Sequence, residues 1–189
     1  MTFRAHPRSA ELERTLQRLA RHAEPWQGFF FRSASPRWAA SGDLVSGEGS
    51  RKHGGRWNPP GIRAVYGSLT PELSLAEALA TTRALGIADE SALPRVTAAG
   101  WARLRRVLRL DARARRSLGA KRSEWLEPDW KRGGEEVLSQ ALGRLAEAQG
   151  LEGLLVPSAV APLGQNLVVF PDKLRARSRL EARGVRALP

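Results

Sequence analysis

Apolar positions recur at helical spacing in three stretches of this chain and at strand spacing in several others. Leu12, Leu16 and Leu19 share one face against Glu11, Glu13, Arg14, Arg18 and Arg21, which predicts an amphipathic helix from Ser9 to about His22, capped by Ser9. Pro25 ends that segment. The aromatic run Gly28-Phe29-Phe30-Phe31-Arg32 predicts a buried strand with an arginine where burial ends. Residues 33–53, polar and rich in Gly and Ser, read as a loop, and residues 62–68 alternate as a strand. Thr70-Pro71-Glu72 is a strong helix start: N-cap, first-turn proline, first-turn acid. That helix should run to about Leu85 and stop at Gly86. Leu73, Leu75, Ala76, Ala78, Leu79, Ala80 and Ala84 make nearly every face apolar, so it should be buried.

Further on the signals are mixed. Residues 86–102 read as a loop with a short strand near Val96, 104–110 as an exposed strand, and 111–117 as a short helix. Residues 124–130 read as an irregular segment carrying Trp125 and Trp130. Val137, Leu138, Ala141, Leu142, Leu145 and Ala148 mark an amphipathic helix over 134–149, ended by Gly150. Residues 154–156 and 167–170 are short apolar strands, and the basic tail from Lys173 has room for an edge strand. There is no repeat and no obvious linker.

Composition narrows the class. The chain has 189 residues, enough for one domain with a short appendage. No apolar run reaches the ~20 residues of a membrane span, no secretory signal opens the chain, and there is no cysteine. These features fit the cytoplasm. His6, His22 and His53 lack ligand spacing, so no metal site is expected. The net charge of +12, with 31 Lys+Arg against 19 Asp+Glu, favours polyanionic partners, although an arginine-favouring genome would raise the same count.

Candidate chemistry gathers around Gly54-Gly55-Arg56-Trp57-Asn58-Pro59-Pro60-Gly61. Glycines that permit close approach and prolines that fix φ bracket a guanidinium, an indole and a carboxamide. Tyr66 follows as a platform or a core aromatic. Glu77 sits mid-helix beside Leu73, Ala80 and Ala84; a carboxylate there must pair with an arginine or serve a site, and small neighbours leave room for a ligand. Arg32 is an anion-binding residue or a surface residue past its strand. Ser158 and Asn166, taken singly, read as turn residues.

Together these pieces resemble the RES-domain toxins. The likeness rests on Phe-Arg at 31–32, Gly-Gly-Arg-Trp-Asn-Pro-Pro-Gly at 54–61, Ala-Val-Tyr at 64–66, Ser-Leu-Ala-Glu at 74–77, Leu-Leu-Val-Pro-Ser-Ala at 154–159 and Asn-Leu-Val at 166–168. It covers about residues 28–172. It implies a compact α+β domain similar to the ADP-ribosyltransferase fold, with mixed or antiparallel sheets and flanking helices, over residues 26–189 behind an N-terminal helical extension at 1–25. It also implies a toxin of a toxin–antitoxin pair that cleaves the nicotinamide–ribose bond of NAD+, by water or phosphate, with NAD+ as substrate rather than cofactor. The implied partner is an antitoxin with a helix-turn-helix domain; a homo-oligomer is left open. Under that likeness Glu77, Arg32 and Ser158 are catalytic, and Arg56, Tyr66, Trp57, Asn58 and Asn166 bind substrate, with Trp57 and Asn58 chiefly shaping the loop. Two other classes share the residues: a transferase placing ADP-ribose on a macromolecule, and a non-enzymatic basic module for nucleic acid.

Overall fold

The structure, a computed structural model, describes residues 4–38, 40–84, 86–125 and 134–188. In chain order its elements are α1 (Ser9–Leu19), β1 (Glu24–Ala34), α2 (Ser41–Ser46), α3 (Glu48–His53), β2 (Val65–Ser68), α4 (Pro71–Arg83), α5 (Asp89–Ala92) and β3 (Arg95–Arg109), then α6 (Ala112–Ser117), α7 (Arg122–Trp125), α8 (Leu138–Ala148), β4 (Gly153–Pro157), β5 (Gln165–Val169) and β6 (Arg179–Leu188). The α+β expectation holds at this level, with one mixed sheet and helices around it.

The sheet has six strands in the order β1-β2-β5-β4-β3-β6, and β1 also pairs with β3. Every pairing is antiparallel except β3 with β4, where Val107–Arg109 run alongside Gly153–Leu155. A single bridge, Phe31 to Ser68, joins β1 to β2 and closes the sheet on itself. Phe30, Val65, Ala102, Leu104, Val107, Leu155, Leu167 and Val169 form one cluster between the strands. Glycine is required on both sides of Phe30: a Cβ at Gly67 or Gly100 would lie 2.3 or 2.1 Å from its ring. The larger core lies on the other face of β4 and β5, where Leu154, Val156, Val168 and Phe170 meet α1 and α8.

The N-terminal extension docks on this body. Leu12 and Leu16 are fully buried in the larger core. Arg8, not Ser9, is the N-cap, and Ser9 Oγ donates to His6 O at 2.7 Å. The side chain of Arg144 on α8 donates to buried Glu136 from Nη2 at 2.9 Å, and the same nitrogen reaches Ser9 Oγ at 3.1 Å.

Several expectations are corrected. Residues 95–109 form one 15-residue strand, because β3 is paired along both edges; its inner residues are buried although an exposed strand was expected near its end. The stretch 33–53 contains α2 and α3 rather than loop alone. Phe29 is 57% exposed, so β1 is not buried throughout. Only Leu73 and Ser74 of α4 are buried, because that helix lies over one side of β1 and β2 with little above it. The expected helix at 134–149 begins at Leu138. The placing of Leu85 and Trp130 falls outside the described residues. Among the described residues no helix is long and apolar enough to cross a membrane.

Candidate active site

Thr70 begins α4 by accepting the Leu73 amide on its hydroxyl at 3.2 Å, with Pro71 in the first turn. This fixes where Glu77 emerges, half-buried and directed at the start of β5 and the end of β4. Glu77 Oε1 accepts from Ser158 Oγ at 2.7 Å, Asn166 Nδ2 at 2.7 Å and the Ala159 amide at 3.3 Å. No ion pair reaches this carboxylate among the described residues, and those three contacts leave Oε2 uncommitted. One oxygen is therefore a fixed anchor and the other is presented outward.

The anchors are themselves held. Ser158 Oγ accepts from the Val160 and Ala161 amides, each at 3.0 Å, and its own N–H donates to Gly164 O at 2.8 Å. Asn166 Oδ1 accepts from Ser68 Oγ at 2.7 Å. A carboxylate only accepts, so the Asn166 amide must turn Nδ2 toward Glu77, and the Ser68 hydroxyl satisfies the oxygen left behind. Ser68 is 4% exposed. Nothing in its local sequence distinguished it, and β2–β5 register alone sets Ser68 opposite Asn166.

A cavity of about 450 Å³ opens in front of this network, and Arg32, Arg56, Tyr66, Glu77 and Asn166 all line it. The Arg32 side chain has no hydrogen bond or ion pair among the described residues. Burial pushes its guanidinium down to about 10, a drop only partly offset by the nearby Tyr66 oxygen. Its exposed atoms open into the cavity. A partly desolvated cation without a partner is costly unless something anionic joins it.

Tyr66, Trp57 and Asn58 form the cavity's frame. The Tyr66 hydroxyl donates to Asn58 Oδ1 at 2.6 Å and accepts from the Trp57 amide at 2.9 Å. Burial raises the phenol well above its ordinary value, against the smaller opposing effects of the Trp57 hydrogen bond and the charges of Arg56 and Arg32. Asn58, fully buried, donates to the carbonyls of Ser50, Pro59 and Ile62 at 3.0, 3.0 and 2.9 Å. Trp57 is on the cavity wall, but its indole is 2% exposed and meets Trp125 edge-on, with centroids 5.5 Å apart. Both side chains make their contacts within the loop and the core beneath it. Gly55 lets the loop close, since a Cβ there would lie 2.4 Å from the Tyr66 hydroxyl. Gln140 of α8 secures the same loop by donating to Gly55 O at 3.1 Å.

Ser158 stands behind Glu77, while its neighbours Pro157 and Ala159 reach the cavity wall. Asp43 of α2 and His53 of α3 also line the cavity. Sequence reasoning passed over Asp43 and set His53 aside as a loop residue, because their segment read as a loop. The arrangement offers a presented carboxylate, two guanidinium groups and a rigid polar wall, which suits an anionic ligand that develops positive charge at one carbon.

The chain matches the RES domain family model over residues 29–187. Proteins described as NAD(+) phosphorylase MbcT, from Mycobacterium bovis and Mycobacterium tuberculosis, are each 30% identical to it over 139 residues, covering 71% of this chain and 70% of theirs. The crystal structure of the M. tuberculosis MbcT–MbcA toxin–antitoxin complex superposes with a TM-score of 0.71 at 25% identity, over 94% of this chain and 91% of that one.

Proposed function

This chain belongs to the RES domain family, and we propose that it degrades NAD+ at the cavity beside Glu77, as the toxin of a toxin–antitoxin pair. The observation that carries this reading is the Glu77 carboxylate: one oxygen holds three donors, while among the described residues the other lacks a protein partner and no ion pair neutralises the charge. A group held in that way can stabilise an oxocarbenium-like ribose.

In the proposed reaction the bond between the nicotinamide nitrogen and the ribose anomeric carbon breaks. Its electron pair goes to the ring nitrogen, and neutral nicotinamide leaves. Glu77 Oε2 faces the positive charge developing at the ribose. Arg32 and Arg56 take phosphate oxygens of the substrate through forked hydrogen bonds. An oxygen of orthophosphate then bonds to the anomeric carbon, giving a sugar 1-phosphate; water in its place would give ADP-ribose and a proton. We favour phosphate because the mycobacterial relatives are described as phosphorylases. Tyr66, Trp57 and Asn58 keep the wall rigid, while Ser158 and Asn166 position Glu77.

The same chemistry underlies ADP-ribosyl transfer, and we extend the likeness to ADP-ribosyltransferases on that ground. A cognate antitoxin would silence the enzyme by covering the cavity mouth, and the cytoplasm is where both would meet NAD+. Purified protein incubated with NAD+, with and without phosphate, tests the proposal through released nicotinamide and the phosphorus spectrum of the product. A phosphate-dependent sugar phosphate supports phosphorolysis, and ADP-ribose alone would replace it with hydrolysis. Absence of nicotinamide release would overturn the reading.

A further inference from the structure

The NAD+ proposal leaves a strongly basic face of the molecule unused. β3 and β6 lie side by side with Arg103 opposite Arg179 and Trp101 opposite Glu181. Arg103 and Arg105 point outward, alternating with buried Ala102 and Leu104. The turn before β6 brings Arg175 and Arg177 alongside. The link is Glu152, which is fully buried. Its Oε2 accepts from the amides of Arg105 and Arg106, and its Oε1 accepts from the Arg175 amide at 2.6 Å and Ser178 Oγ at 2.5 Å. One interior carboxylate thus pins two arginine-bearing segments against each other.

Arg103, Arg105, Arg175, Arg177 and Arg179 are all exposed, and none forms an ion pair among the described residues. The acid within the row, Glu181, is taken by Arg183 at 2.5 Å. Gathering like charges on one face opposes folding. Arg177 adds backbone strain, because it is the non-glycine residue at positive φ, 71°, among those described. Two unfavourable features at one place, with no carboxylate of the protein pairing these five arginines among the described residues, point to an anionic ligand outside it.

The chemistry of the face selects that ligand. The charges are guanidinium groups, whose forks match phosphate. The half-buried Trp101 has Arg103 and Arg183 over its ring at 5.6 and 5.7 Å, so guanidinium groups already engage it. Arg32 pairs with Ala98, five residues before Arg103 and therefore about 17 Å away along β3. We infer that the β3–β6 face binds the phosphate backbone of duplex nucleic acid without reading its sequence, independently of the NAD+ cavity.

Anisotropy of a labelled duplex, titrated with the protein from about 50 to 200 mM salt, tests this. Engaging about four phosphates predicts a slope near −4 in log affinity against log salt. Replacing both arginines in an Arg177→Glu, Arg179→Glu variant should weaken binding at least tenfold and flatten the slope, with NAD+ turnover and thermal stability unchanged. An Arg113→Glu, Arg116→Glu variant carries the same charge change on α6 and should retain most of the affinity. Equal losses in the two variants would reduce the effect to net charge and overturn the inference. So would undetectable duplex binding, or binding of polyglutamate in preference to the duplex.

Discussion

The Asn166 amide stands 2.7 Å from Glu77 Oε1, across 89 positions of sequence, and donates to the same oxygen that Ser158 holds. Donors crowded on one oxygen leave the other to face the cavity. The carboxylate is therefore oriented by neutral groups, and its charge is available to whatever enters.

Glu77→Gln separates geometry from charge. A glutamine can keep its carbonyl toward Ser158, Asn166 and Ala159 and turn its NH₂ to the cavity. The variant should fold with an unchanged melting temperature and lose turnover by about 10²–10³-fold, the usual cost of removing one electrostatic stabiliser. Full activity in a folded variant would remove Glu77 from the mechanism.

Ser68 acts through Asn166. Without the hydroxyl the Asn166 carbonyl loses its donor, and the amide can rotate away from Glu77. Ser68→Ala should lower kcat about tenfold with KM for NAD+ little changed, since its hydroxyl is spent on Asn166. Ser68→Thr, which keeps the hydroxyl, should recover most of it. A change confined to melting temperature would make Ser68 structural only.

Glu77 was legible because Thr70-Pro71 declares a helix start and small residues surround the acid at helical spacing. Its partner pair was not, because Ser68 and Asn166 are 98 positions apart and meet only through strand register. β3 was split into loop and exposed strand because Ala98-Ala99-Gly100 has poor strand propensity, and pairing on both edges overrides it. Trp57 shows another limit. An indole in a glycine-rich loop suits a ligand or a core equally, and here Trp125 decides.

Glu152 carries a stability prediction. Burial alone would raise its carboxyl, but hydrogen bonds from Ser178 and from the amides of Arg175, Arg105 and Arg106 overcome that and hold it below its ordinary value. A lowered value means the stabilisation is complete above about pH 4.5 and fades as pH falls through the folded value. Glu152→Ala would leave those donors unmet and should cost about 3–5 kcal/mol in urea unfolding near neutral pH. Glu152→Gln should also be destabilised, by a margin that narrows on acidification below pH 4.5. A constant margin would show that charge is not what the donors hold.

Arg32 gives the sharpest contrast between stability and function. Its guanidinium sits lowered to about 10 by burial, so the folded protein resists holding that charge while the unfolded chain keeps it easily. In the window above 10 the unfolded chain binds more protons at this site, so this residue's contribution to stability improves as pH rises. Replacing it with an uncharged side chain of similar length does the same at every pH. Arg32→Met should therefore melt no lower than the parent protein, while KM for NAD+ rises at least tenfold as a phosphate contact is lost. Arg32→Lys keeps a charge without the fork and should fall between them. A methionine variant that binds NAD+ normally would leave the arginine without the role assigned to it.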